Sequence, residues 1–160
     1  MIDNNFNTSG QLDWIGIREK EGDIKGVKSI LALQGLGLEG DKITLKSSKK
    51  RQVTMMQNEH ISVILSLAQE NDHEKINNIQ YYFKRNLLIS KYNIQNLKGK
   101  FFRIGEARFF GTGDCKPCKK IENLLGKQML EAMQGMGGIT AAVVKTGTIK
   151  INDRLNLEAE

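Results

Sequence analysis

Short runs of alternating apolar and polar residues recur along this chain, separated by glycine-rich or charged turns. A period of two places successive side chains on opposite faces of a strand. On that basis Trp14–Ile17 reads as a first strand and Glu19–Gly26 as a charged turn. Val27–Leu33 is a second strand, with Val27, Ser29, Leu31 and Leu33 on one face. Ile43–Ser47 and Gln52–Met56 read as the third and fourth strands, and strand character returns over Asn86–Ile89. Phe101–Ile104 and Ala107–Thr112 flank Gly105 and Glu106, which is a hairpin signal. Ile139–Val144 and Thr148–Ile151, joined across Lys145–Gly147, read as a closing hairpin, and Arg154–Leu157 can add a last strand.

Three segments have helical spacing instead. After Asn58, a plausible N-cap, come Ile61, Ile64, Leu65 and Ala68, which predict a helix to about Glu70. Ile76, Ile79 and Phe83 predict a shorter helix, and Ile121, Leu124, Leu125 and Met129 a third. Pro117 suits the start of that third helix, and the glycines at 135, 137 and 138 stop it. Many short strands with two or three helices, and no strict βαβ alternation, predict a mainly β, α+β fold: a β-barrel decorated by helices. Residues 1–12 lack periodicity and read as a flexible terminal segment, leaving 13–160 as a single domain. A chain of 160 residues has room for one ordinary core.

Composition narrows the function classes. No stretch approaches the ~20 apolar residues that span a bilayer, so no membrane partner is expected. Met1–Phe6 has neither the basic start nor the apolar run of a secretory signal, which points to a reducing cytoplasmic setting. The net charge of +6 is partly local, with four cations in Lys46–Arg51. Aromatic residues make up only 6%, too few for an extended stacking surface, so nucleic acid is not an expected partner. A focused site for a phosphate-bearing small molecule fits the charge better.

The chain's one proline, Pro117, lies between its two cysteines, Cys115 and Cys118. The helix start after Pro117, with Lys116, Lys119 and Lys120, puts positive potential near Cys118 and favours its thiolate. Spacing alone leaves three readings open: small core residues, a redox Cys-x-x-Cys pair, or a single metal-ligating cysteine. A zinc site is disfavoured, because His60 and His73 lack ligand spacing with the pair. Those two histidines read as surface or boundary residues.

Arg51–Gln52 and Arg85–Asn86 each place an arginine and an amide at the mouth of a strand. Guanidinium forks match phosphate and carboxylate oxygens, so the two arginines are candidates for an exposed anion clamp. Rim salt bridges are the competing explanation. Glu39 and Asp41 are further polar candidates, either to orient an arginine or to finish a turn.

In order, several segments resemble the MOSC family, named for the C-terminal domain of molybdenum-cofactor sulfurases. They are Gly35–Asp41 (GLGLEGD), Arg51–Thr54 (RQVT), Arg85–Leu88 (RNLL) and Leu97–Gly105 (LKGKFFRIG). The series continues through Gly111–Cys118 (GTGDCKPC), Gly137–Gly138 and Gly147–Asp153 (GTIKIND). The resemblance implies a MOSC-like barrel and a cysteine that serves a molybdenum cofactor of the molybdopterin type, as metal ligand or sulfur acceptor. That role maps onto Cys118. Arg51, Arg85, Asn86, Asp41, Lys42 and Lys116 fall where cofactor contacts are implied. Lys42 departs from the arginine or histidine found in many relatives, which keeps the charge and loses the fork.

The implied activity is reduction of N-hydroxylated small molecules, which needs a separate electron-donor protein and no pyridoxal phosphate. Two cysteines cannot hold a four-cysteine iron–sulfur cluster of the chain's own. The alternative is a non-catalytic carrier that uses Cys118 as a persulfide or ligand site. The oligomeric state is not legible in the sequence.

Overall fold

The computed structural model describes residues 9–46 and 48–158. Its centre is a closed β-barrel. The strands are β1 (Ser9–Arg18), β2 (Ile24–Val27), β3 (Ser29–Leu33), β4 (Gly37–Leu38), β5 (Val53–Gln57) and β6 (Leu87–Ser90). They continue as β7 (Phe101–Ile104), β8 (Ala107–Asp114), β9 (Ile139–Lys145), β10 (Gly147–Lys150) and β11 (Arg154–Leu157). The pairing order β11-β7-β8-β9-β5-β6-β1 closes through β1 against β11, so seven strands form the barrel and β2 extends from β1. A small second sheet, β10-β3-β4, lies beside it.

Alternation fills the barrel. Leu12, Ile15 and Ile17 of β1 point inward with Phe102, Ile104, Phe109, Ala141, Val143 and Leu155, all buried. Phe102 and Phe109 stack across β7 and β8 at 5.5 Å between ring centroids. β5 and β6 differ, being the one parallel pair among the barrel's described ladders. Every residue of β5 is buried, because the strand is covered on both faces.

The cover is helical. It comprises α1 (Asn58–Leu67), α2 (His73–Asn77), α3 (Ile79–Phe83), α4 (Lys119–Leu125) and α5 (Lys127–Ala132). Ile64, Ile79, Phe83, Ile121, Leu125, Met129 and Met133 pack on Met56 and Leu88 as a second core. Each such side chain, fully buried, stabilises the fold by roughly 1.5–3 kcal/mol.

Several local expectations are corrected. The first strand begins at Ser9, because Ser9–Gln11 pair with β11 to close the barrel. Of the segment 1–12 read as flexible, Ser9–Leu12 are therefore strand, and residues 1–8 lie outside the described residues. Lys42–Leu45 form a 3₁₀ turn, not a strand, because the Asp41 carboxylate accepts from Ile43 N at 2.9 Å and caps it; Ser47 lies outside the described residues. The segments read as two later helices are four short ones, with breaks at Asn78 and at Gly126. β9 and β10 are not a hairpin. Both edges of β9 are taken by β5 and β8, so β10 leaves the barrel and pairs with β3.

Candidate functional site

The cysteine segment joins the end of β8 to α4. Asp114 still pairs with Ile139 of β9, and Cys115 N then donates to Gly138 O at 2.9 Å. This bond seats the segment on the Gly137–Gly138 turn. The approach is close enough to forbid a side chain: a Cβ on Gly137 would lie 2.3 Å from Cys115 O and 2.9 Å from Pro117 Cδ. Gly138, at φ 98°, holds the left-handed region that glycine tolerates best. The two cysteines then part. Cys115 is buried, while Cys118 is exposed and stands at the N-cap of α4.

Two guanidinium groups lie beside this segment. Arg51 precedes β5 and is exposed, and its Nη2 is 3.8 Å from the Cys115 sulfur. Arg85 precedes β6 and is 6% exposed, so the expectation of two exposed clamp arginines holds for Arg51 alone. The physical reason is the helical layer, which covers this end of β6. Arg85 Nε donates to Gly137 O at 2.9 Å and Nη1 to Phe83 O at 3.2 Å. Its Nη2 is buried without a hydrogen-bond partner among the described residues. Burial pulls this guanidinium below its ordinary range; the Cys115 sulfur opposes that shift, Arg51 reinforces it, and Cys118 and Arg18 contribute less. An arginine remains charged even so. A buried cation with a free donor is costly unless an anion meets it.

Behind the arginines runs a buried polar chain. The Asp41 carboxylate takes Arg18 side-on, with Nε to Oδ2 at 3.2 Å and Nη2 to Oδ1 at 3.1 Å. It also accepts from Arg18 N and from Asn86 Nδ2, the latter at 2.7 Å. Burial raises the Asp41 pKa, but the bonds and charge of Arg18 outweigh it, with a smaller contribution from Ile43 N, and the net shift is downward. Asn86 uses its whole amide: Oδ1 accepts from Thr54 N at 3.0 Å, and Nδ2 also donates to Gly16 O at 2.9 Å. Asp41 and Asn86 are thus internal braces that fix the residues beside them, Lys42 and Arg85.

Lys42 is half-buried, and its pKa is lowered, first by burial and then by Lys120 and Arg18. Lys116 is exposed. Gln52 is also a brace: its amide donates to Ser48 O at 3.0 Å and accepts from Val143 N at 2.9 Å, which ties the basic loop to β9. Glu39 is exposed. His60 is half-buried beside a cleft with Gln57, Glu59 and Lys91, and His73 is exposed at the start of α2. Neither that cleft nor a second one, between Tyr81, Tyr82 and Leu124, includes Cys118.

Sequence reasoning missed Arg18 and Gly137. Arg18 ends the first strand in a charged setting that gives no hint of a partner 23 residues away. The sequence marks Gly137 as a helix stop and, with Gly138, as part of the family resemblance, but not as the seat of the cysteine segment.

Among the described residues no group of three or more His, Cys, Asp or Glu side chains could hold a metal ion. A metal here would need its other ligands from a cofactor. The site suits that arrangement: one exposed sulfur, a buried guanidinium nitrogen without a hydrogen-bond partner, and Arg51, Lys42 and Lys116 without an ion pair, all among the described residues. Among the described residues no helix is long and apolar enough to cross a membrane.

Comparison with known proteins bears on the fold and on the family. The solved structure of the YuaD protein from Bacillus subtilis superposes with a TM-score of 0.75 at 15% identity, covering 92% of this chain and 94% of that one. YiiM from Escherichia coli gives 0.66 at 23% identity, covering 94% of this chain and 70% of that one. YiiM from Geobacillus stearothermophilus gives 0.70 at 14%, with coverages of 94% and 75%. These likenesses are of fold. No curated protein sequence matches the chain significantly. The family model of the MOSC domain matches residues 42–156, a span that holds both cysteines, Arg51, Arg85 and the Gly137–Gly138 turn. The chain belongs to the MOSC domain family, whose name refers to the C-terminal domain of molybdenum-cofactor sulfurases.

Proposed function

We propose that this domain binds a molybdenum cofactor of the molybdopterin type beside Cys118 and reduces N-hydroxylated small molecules. The observation that carries the reading is that the segment ending in the exposed Cys118 is seated on a glycine turn held by buried Arg85, whose Nη2 lacks a partner among the described residues. Family membership supports it, since MOSC domains are associated with that cofactor. When bound, the cofactor supplies two-electron removal of an oxygen atom from an N–OH group.

The chain's own residues have distinct tasks. Cys118 offers a soft sulfur ligand in reach of solvent, which suits molybdenum. Arg51 and Arg85 offer donors to anionic oxygens, Arg51 from the surface and Arg85 from a fixed buried position. The Arg18–Asp41–Asn86 chain keeps Lys42 and Arg85 in place at little entropic cost on binding. Electrons would come from a separate donor protein. Free cysteines fit a reducing, cytoplasmic setting.

The test is production in a host that makes the cofactor, followed by metal and pterin analysis. An amidoxime is then assayed with a supplied electron donor. Stoichiometric molybdenum that is lost in Cys118→Ser, with turnover of the amidoxime, supports the reading. Bound cofactor without turnover points instead to the carrier role, and absence of metal and pterin overturns both.

A further inference from the structure

The proposed reduction needs electrons from another protein, and the helical layer offers a protein a place to dock. A cleft of about 400 Å³ opens between α3 and α4, with Tyr81, Tyr82 and Leu124 in its walls. Tyr81 and Leu124 are 40% and 44% exposed, so aromatic and apolar surface stands open to solvent there. Neighbouring contacts fix its shape. Tyr81 meets Trp14 edge-on at 5.7 Å between ring centroids, and the Tyr82 hydroxyl donates to Glu74 Oε2 at 2.7 Å. A concave patch already held in place receives a partner's apolar side chain at low entropic cost.

The cleft lies near the exposed thiol. Leu124 is six residues beyond Cys118, about 9 Å along α4 at the helical rise per residue. Lys120 precedes Leu124 by four residues and so shares its face of the helix. Lys119 and Lys120 are exposed, and neither forms an ion pair among the described residues, even with Glu122 on the same helix. Both sit in the first turn of α4, where a cation opposes the helix dipole, so they do not serve to stabilise that helix. The basic loop borders the same cysteine segment. The Thr112 hydroxyl donates to Lys50 O at 2.5 Å, and Lys46, Lys49 and Lys50 are exposed, with no ion pair among the described residues. An open apolar cleft flanked by unpaired cations is complementary to an acidic protein surface that carries an apolar anchor. A lone anion or a nucleic-acid backbone would use the lysines and leave Leu124 idle.

We propose that the α3–α4 cleft, with Lys119 and Lys120, docks an acidic redox protein, the electron donor of the reduction. The partner's role as donor rests on the reductase reading above; the surface for an acidic protein does not. Conversion of N–OH to N–H consumes two electrons and two protons and releases water. The two electrons leave the reduced donor, which is oxidised, and the protons come from solvent.

Two measurements test this. Calorimetric titration of the purified chain with a plant-type ferredoxin, which is acidic, should show binding, and titration with cytochrome c, which is basic, should not. Lys119→Gln with Lys120→Gln, and separately Leu124→Asn, should each weaken the ferredoxin complex about tenfold, as residues central to an interface do. Lys127→Gln on α5 and Leu67→Asn at the exposed end of α1 should leave it unchanged. Absence of ferredoxin binding, or binding that Leu124→Asn leaves intact, overturns the surface. Binding of a single-stranded oligonucleotide in place of ferredoxin, lost in the double lysine variant and kept in Leu124→Asn, assigns the lysines to nucleic acid and overturns it too. In the cofactor-loaded protein, Leu124→Asn should lower kcat/KM for reduced ferredoxin about tenfold. Amidoxime turnover with reduced methyl viologen, a small donor that needs no docking surface, should stay the same. Equal effects on both donors, including none, overturn the donor assignment. If the wild type turns over with neither donor, the reductase reading fails, and the titration still decides the surface.

Discussion

Arg85 holds Gly137 through a 2.9 Å hydrogen bond from Nε to the glycine carbonyl, and the next residue, Gly138, accepts from Cys115 N at the same distance. A side chain at the mouth of β6 therefore sets the turn on which the cysteine segment rests. Arg85 acts twice, as scaffold through Nε and Nη1 and as an available donor through Nη2. This separates it from Arg51, which is exposed and touches the Cys115 sulfur.

The two arginines should accordingly differ in their effect on stability. Arg85→Ala removes bonds to two backbone carbonyls and should destabilise the fold by about 1.5–3 kcal/mol, the worth of hydrogen bonds to a charged group. Arg51→Ala should change stability by less than about 0.5 kcal/mol, as a surface substitution. Thermal melts of both variants without cofactor check this. Equal melting temperatures would show that Arg85 does not hold the turn.

Cofactor affinity is the complementary measure. Arg51→Ala should weaken retention by about 1.5–3 kcal/mol, and Arg51→Lys should recover only part, because an ammonium keeps the charge and loses the fork. Titration of the cofactor at fixed ionic strength tests it; unaltered affinity in the alanine variant would place Arg51 outside the site.

Gly137→Ala puts a methyl group 2.3 Å from the Cys115 carbonyl, so the turn or the cysteine segment must move. The substitution should cost stability, and it should also expose the buried thiol. Alkylation followed by peptide mass analysis should label Cys118 alone in the native wild type, and both cysteines in Gly137→Ala. Cys118→Ser should abolish metal retention, whereas Cys115→Ser should leave much of it. Equal loss in both variants, with a reversible disulfide, would favour thiol exchange.

Asp41 should contribute an acid-labile share of stability. Its folded pKa lies below the ordinary 3.8, because Arg18 holds the ionised form. A depressed carboxylate stabilises the fold fully above the unfolded pKa, and the contribution disappears as pH falls through the lower folded value. The stability gap between wild type and Asp41→Asn should thus be constant at neutral pH and close below about pH 4, as followed by denaturant melts across that range. A gap that persists to the acid limit would mean that the Arg18 pairing is not its source.

Much of this molecule follows from local pattern. Alternation in Trp14–Ile17, Phe101–Ile104 and Ala107–Thr112 marks strands, because each has one face toward a core whatever its neighbours are. The proline between two cysteines, after a glycine-rich strand end, likewise marks the chemical segment without knowledge of the fold. Partner choice was settled only in three dimensions. Nothing local says that β10 must pair with β3; closure of the barrel takes both edges of β9 and leaves β10 no other place. Nor does an Arg–Asn pair at a strand mouth reveal which arginine is buried. Arg85 is enclosed because α3, α4 and the Gly137 turn cover the end of β6, whereas Arg51 stays exposed among the described residues. Charge and residue type are properties of the sequence; the partner that each charge finds depends on long-range packing, and Arg18 with Asp41 is such a pair.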